Sequence, residues 1–171
     1  MGTELACLVH QYHREGQAAQ ELVEAGIAFS SAQGFAWYVA LGTILHGWTL
    51  TDQGHGAEGI AQRHHGLAMC RAIGAETGQP FCLAWLAAAH MQGEHIEEGL
   101  AALVEAFVRA DKTGENCYEV EQHRLKGELR RRQTIADASW AQTCFQQVRT
   151  IARRQQAKSL EVRAAMSLAR L

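Results

Sequence analysis

The chain has 171 residues, 47% of them hydrophobic, with 16 Lys and Arg against 18 Asp and Glu and a formal net charge of −2. That length suits one core or a short array of helical repeats, a single unit over residues 1–171, and argues against two full-sized domains. A single proline, Pro80, and abundant Ala, Leu, Glu, Gln and Arg exclude a strand-rich fold, which needs more turn signals and β-branched residues.

Taken in chain order, apolar periodicity predicts helices over residues 3–13, 18–33, 36–51, 57–73, 81–91, 96–112, 117–133, 138–155 and 159–171. Turn sequences such as REGQ, SAQGF, DQGHG, QGEH and KTGE separate them. Connections this short favour antiparallel helical hairpins. Residues 25–51 contain no Asp, Glu, Lys or Arg, but Ser30, Ser31, Gln33, Gly34 and His46 interrupt them and no basic flank follows, so no membrane span is expected. The five cysteines, Cys7, Cys70, Cys82, Cys117 and Cys144, are odd in number and form no C-x-x-C. The first residues, MGTELACLVH, have no basic region before an apolar run. Reduced thiols in a cytoplasmic protein are the expectation.

The net charge conceals an asymmetry. Residues 1–120 hold 5 Lys and Arg and 14 Asp and Glu, whereas residues 121–171 hold 11 and 4, so the two parts carry −9 and +7.

Gly127 is a misfit in the strong helix former HRLKGELRRRQ, where glycine costs about 1 kcal/mol relative to alanine. Stepping back by 40 from Gly127 reaches Ala87, Gly47 and Cys7, and 42 forward lies Ala169, all of them small. Twelve residues after Cys7, Gly47, Ala87 and Gly127 come Ala19, Gly59, Gly99 and Ser139, or Ala141 with a slightly longer last loop. Nineteen after come Gly26, Gly66 and Ala106. Leu45, Trp85 and Leu125 share one register of large residues, and Ile60, Leu100 and Trp140 another. Small residues at constant offsets on paired helices let backbones approach closely. Gly127 therefore reads as a packing residue in an all-α, right-handed solenoid of hairpins with a period near 40.

The offsets of 12 and 19 resemble the tetratricopeptide repeat with lengthened loops. More specifically, YVALGTILHGWTLTDQG, EEGLAALVEAF, HRLKGEL, CFQQV and IARRQQAKSLEVRAAMSLARL resemble the C-terminal tetratricopeptide region of large bacterial signalling regulators. In those proteins this region follows an ATPase module, often behind a nucleotide cyclase or winged-helix domain, and neither portion is present in this sequence. The resemblance implies a regulatory, non-catalytic arm. It also implies that MSLARL is the middle of a first helix, so the chain is expected to be a fragment of a longer protein, with residues 159–171 as a terminal solenoid cap the alternative.

Other motifs have simpler readings. GHGAEG, at 54–59, matches G-x-G-x-x-G with Glu76 following, but the preceding segment is helical where a dinucleotide site requires a strand. His64 and His65 are adjacent, pointing about 100° apart on a helix, and do not make a metal pair on their own; His46, His55, His90 or Cys70 would have to join them. No G-x-S-x-G, H-E-x-x-H or P-loop occurs, and Glu94, Glu97 and Glu98 sit where they complement a helix dipole. No catalytic residue, cofactor or metal is expected.

Arg124, Lys126, Arg130, Arg131 and Arg132, with Arg149, Arg153, Arg154 and Lys158 later, form the strongest polar feature. They leave nucleic-acid binding as an alternative, disfavoured because few aromatics accompany them and Arg130–Arg132 fan around the helix. Self-assembly of the −9 part onto the +7 part of another copy is a second alternative, so homo-oligomers stay open.

By resemblance, ligands of such arrays lie along the first helix of each hairpin, on the concave side. The inward positions would be Leu41, Ile44, Trp48, Thr51 and Asp52; then Phe81, Ala84, Ala88, Met91 and Gln92; then Glu121, Arg124, Glu128, Arg131 and Arg132. An apolar-to-charged groove suits a protein or peptide partner with an acidic segment. Trp48 and Phe81 have core membership as their competing reading.

Overall fold

A computed structural model describes residues 16–116, 118–133 and 138–169. They form eight helices: α1 (Gly16–Ala32), α2 (Ala36–Asp52), α3 (Gly56–Ala72), α4 (Gln79–Gln92), α5 (Ile96–Thr113), α6 (Glu119–Gln133), α7 (Ala138–Arg154) and α8 (Lys158–Leu168). The predicted helix over 3–13 lies outside the described residues, as do Cys7, Cys117 and the side chains of Ser139 and Trp140. Helix α4 begins at Gln79, two residues before its predicted start, because Pro80 occupies the first turn, where a missing N–H has no intrahelical partner to lose.

The helices pack as hairpins α2/α3, α4/α5 and α6/α7, with α1 against α2 and α8 against α7. Successive first helices also meet, α2 with α4, α4 with α6 and α6 with α8, whereas second helices of neighbouring hairpins do not pack to a comparable extent. The stack therefore closes on the side of its first helices, which makes that side the inner face of an all-α solenoid.

The turns repeat with the helices. Gly34, Gly54, Gly74, Glu94 and Gly114 all have left-handed backbones and recur every 20 residues; Gln156 has the same conformation. At five of these helix ends the following N–H donates to a carbonyl five residues back: Phe35 to Ser30, His55 to Leu50, Ala75 to Cys70, His95 to His90 and Ala157 to Ala152. This terminus stops α1, α2, α3, α4 and α7 and reverses the chain after each.

The small-residue registers are close-approach points. A Cβ on Gly47 would lie 2.5 Å from the Gly59 carbonyl oxygen, and one on Gly66 would lie 2.5 Å from Ile44 Cγ1 and 2.8 Å from the Ala40 carbonyl oxygen. One on Gly59 would overlap the Thr51 hydroxyl and the Gly47 carbonyl. At Gly127 it would meet the Phe145 ring at 2.7 Å. Gly127 is thus the seat of a phenylalanine from α7, which accounts for a glycine inside a strong helix.

Leu45, Trp85 and Leu125 are buried in one core cluster running from α1 to α6. Val120, Val148, Ala152 and Ala164 form a second, smaller cluster that joins α6, α7 and α8. Ala169 departs from the pattern, since it is the exposed C-cap of α8. Within the described residues no helix is long and apolar enough to cross a membrane.

Candidate protein-docking face

Helix α2 supplies the apolar end of the inner face. Ile44 is fully buried against Gly66, and Trp48 is 8% exposed within the same core. Both are members of the core, while Leu41 remains half-buried and Asp52 exposed. Thr51 directs its hydroxyl to the Gly47 carbonyl at 2.8 Å.

On α4, Ala84 is buried and Phe81, Ala88 and Met91 are half-buried, with Gln92 exposed. The Phe81 ring lies 3.9 Å from that of Trp85 and 4.6 Å, edge-on, from that of Tyr118. Trp85 Nε1 donates to the Tyr118 hydroxyl at 2.9 Å, which satisfies the buried indole.

Helix α6 brings its inward charges together in one chain of ion pairs. Arg124 donates to both carboxylate oxygens of Glu121, at 2.8 and 2.7 Å, and lies 3.9 Å from Glu128. Arg131 reaches Glu128 at 3.2 Å, and Arg163 of α8 reaches Glu121 at 3.4 Å. Among the described residues the order is Arg163, Glu121, Arg124, Glu128, Arg131. Glu121 and Glu128 are buried, and the Arg124 side chain is 12% exposed. Burial pulls the Arg124 guanidinium down, but hydrogen bonding to Glu121 and the charges of Glu121 and Glu128 outweigh it and hold Arg124 above its ordinary value. Arg132 donates to the Met91 carbonyl at 2.8 Å, tying α6 to the end of α4.

The i,i+3 and i,i+4 spacing of Glu121, Arg124, Glu128 and Arg131 is legible in the sequence. The contribution of Arg163 is not, because it arrives from a different helix. Trp85 and Tyr118 were also missed as supports of Phe81, their contact being set by the packing of α4 against the turn before α6.

An open depression of about 450 Å³ lies between α6 and α7, lined by Glu119, His123, Thr143, Gln146, Gln147, Thr150 and Ile151. Glu119 is two residues from Glu121, hence about 200° around the helix, so this depression lies away from the ion-pair chain. Burial, opposed by Glu119 and aided by Lys126, lowers the His123 pKa.

The remaining motifs are structural in position. GHGAEG spans the α2/α3 turn, with Gly59 packed against α2. Among the described residues no three His, Cys, Asp or Glu side chains converge to hold a metal ion. Of the basic stretch, Arg124 and Arg131 pair as above, Arg153 pairs with Glu161 at 2.5 Å, and Arg154 lies 3.9 Å from Glu119.

A fold comparison completes the geometry. The chain is similar to the TPR-like repeats of a protein described as a kinesin light chain from Podosopora anserina, with a TM-score of 0.67 at 15% identity, covering 99% of this chain and 83% of that one. A single-substitution variant of that protein matches with a TM-score of 0.68 at 15% identity, over 99% and 82% of the two chains. The fold is a TPR-like helical repeat. No protein-family model matches the sequence, and no curated protein does.

Proposed function

We propose that the chain is a non-catalytic scaffold whose inner face holds a protein or peptide segment. The observation that carries this reading is the continuous inner layer of α2, α4, α6 and α8, on which half-buried Leu41, Phe81 and Met91 give way to Arg131, Arg132 and Arg163. Half-buried apolar side chains anchor a segment without themselves leaving the core. The Arg131 and Arg132 guanidinium groups, which keep exposure on α6, select acidic character at the other end of that segment. In the setting that the sequence resemblance implies, this is the regulatory arm of a bacterial ATPase- or cyclase-linked signalling protein, working in the cytoplasm.

The test is capture of partners by the purified chain, with Met91→Lys and Arg131→Glu as separate variants whose helicity is checked by circular dichroism. Both side chains retain exposure, so folding should survive. Loss of the same captured protein in both variants supports the inner face. Undiminished capture by both moves the docking surface elsewhere, and captured nucleic acid in place of protein would replace the reading altogether.

A further inference from the structure

The joint between hairpins α2/α3 and α4/α5 contains basic groups that the docking face does not use. Arg63 of α3 is 2% exposed, donates through Nη1 to the Trp85 carbonyl of α4, and has no hydrogen-bond partner at Nε. Burial alone lowers its pKa, to about 10, with no carboxylate contributing. Nearby, His90 of α4 is 6% exposed and its Nδ1 is buried without a hydrogen-bond partner. The His90 ring stands 5.7 Å from that of His64 on α3 and 5.8 Å from that of His95, the N-cap of α5. His90 thus stands between two other imidazoles, and the same α3/α4 contact holds a buried guanidinium.

We propose that this joint is a proton-operated hinge, in which protonation of His90 adds a second buried positive charge to the α3/α4 contact that already holds Arg63 and so loosens α3 from α4. The groups facing His90 are His64 and Arg63 from α3, and His95 and Glu98 from α5, while Arg132 of α6 is bonded to the neighbouring Met91 carbonyl. Glu98 and the C-terminal end of α4 favour the imidazolium. Burial, His64, His95 and Arg63 oppose it, and the balance lowers the His90 pKa from its ordinary 6.5.

The sign follows from proton binding. In the loosened joint His90 reaches water and recovers a pKa near 6.5, whereas in the closed joint it is lower. The closed joint is fully stable above that pH. As pH falls below it the open form takes up a proton first, and opening becomes more favourable by about tenfold per pH unit until the closed-state pKa is reached. Acid therefore relaxes the curvature between hairpins α2/α3 and α4/α5 and with it the shape of the inner face.

The experiment is an NMR titration of the histidine rings in the full chain, with native-state hydrogen exchange from pH 8 to 5 corrected for intrinsic rates. The expected result is a His90 titration below 6.5 and a selective loss of protection in α3 and α4 that His90→Gln abolishes. If His90→Gln fails to fold, the exposed pair His64→Gln with His95→Gln should raise the His90 titration and shrink the acid loss. A His90 titration at or above 6.5 overturns the hinge. So does acid loss confined to α6 and α7, where His123 lies, or acid loss unchanged by whichever of these variants folds.

Discussion

The α2/α3 hairpin and the α6/α7 hairpin share a register yet are held together differently. In the first, Gly47, Gly59 and Gly66 bring two backbones together, and the nearest atoms to an added Cβ include carbonyl oxygens. In the second, Gly127 receives the ring of Phe145, and the inward face of α6 carries buried, paired charges in place of the buried apolar face of α2. A repeat thus conserves where space must be left and not what fills it. Backbone cannot retreat from an added methyl, whereas a ring can tilt. A buried ion-pair chain tolerates exposure at its ends but not removal of its middle.

The largest effect is expected where that middle is removed. Arg124→Ala leaves Glu121 and Glu128 buried without their shared cation and should cost about 3–5 kcal/mol in urea unfolding. Combining Arg124→Met with Glu121→Gln and Glu128→Gln should recover most of the loss, since it removes the uncompensated charge; no recovery would mean that burial of the carboxylates is not what makes α6 depend on Arg124.

Next comes the backbone contact. Gly66→Ala should cost roughly 2–3 kcal/mol through overlap with Ile44 and the Ala40 carbonyl, seen as a lower denaturation midpoint. A loss of less than half that would show that α2 and α3 can part, and would erase the contrast with α6/α7.

A smaller gain is expected from Glu94→Gly. Glu94 holds φ 60° at a helix end where Gly34, Gly54 and Gly74 hold the same conformation without a side chain. Removing that penalty should stabilise the α4/α5 turn by about 1 kcal/mol, raising the thermal midpoint. An unchanged midpoint would indicate that the Glu94 side chain stabilises the turn by a comparable amount.

Smallest is Gly127→Ala, where displacement of the Phe145 ring opposes a helix-propensity gain of about 1 kcal/mol. Stability should stay within about 1 kcal/mol of the parent chain. A drop as large as that of Gly66→Ala would make the two hairpins equivalent after all.

Among the described residues the helices, their turns and, Ala169 apart, the small-residue registers were legible in the sequence because each rests on local chemistry: apolar periodicity, a turn residue able to adopt positive φ, and a side chain small enough to let a neighbour in. Gly127 was therefore recognisable as a packing position, although not as the seat of Phe145 in particular. The inward face was legible only as a list of positions along each helix. Ile44 and Trp48 lie on the named side yet are closed off by neighbouring helices, while Leu41 and Met91 beside them keep surface. Exposure depends on how three helices meet, and helical phase describes only one. The pairing of Arg163 with Glu121 joins residues 42 positions apart, and the meeting of His64, His90 and His95 joins three helices. Sequence alone thus determined the repeat and its fold class, since period and side-chain size are properties of the chain. Which charges found partners and which imidazole lost water were decided by tertiary packing, because desolvation and pairing belong to the space between helices.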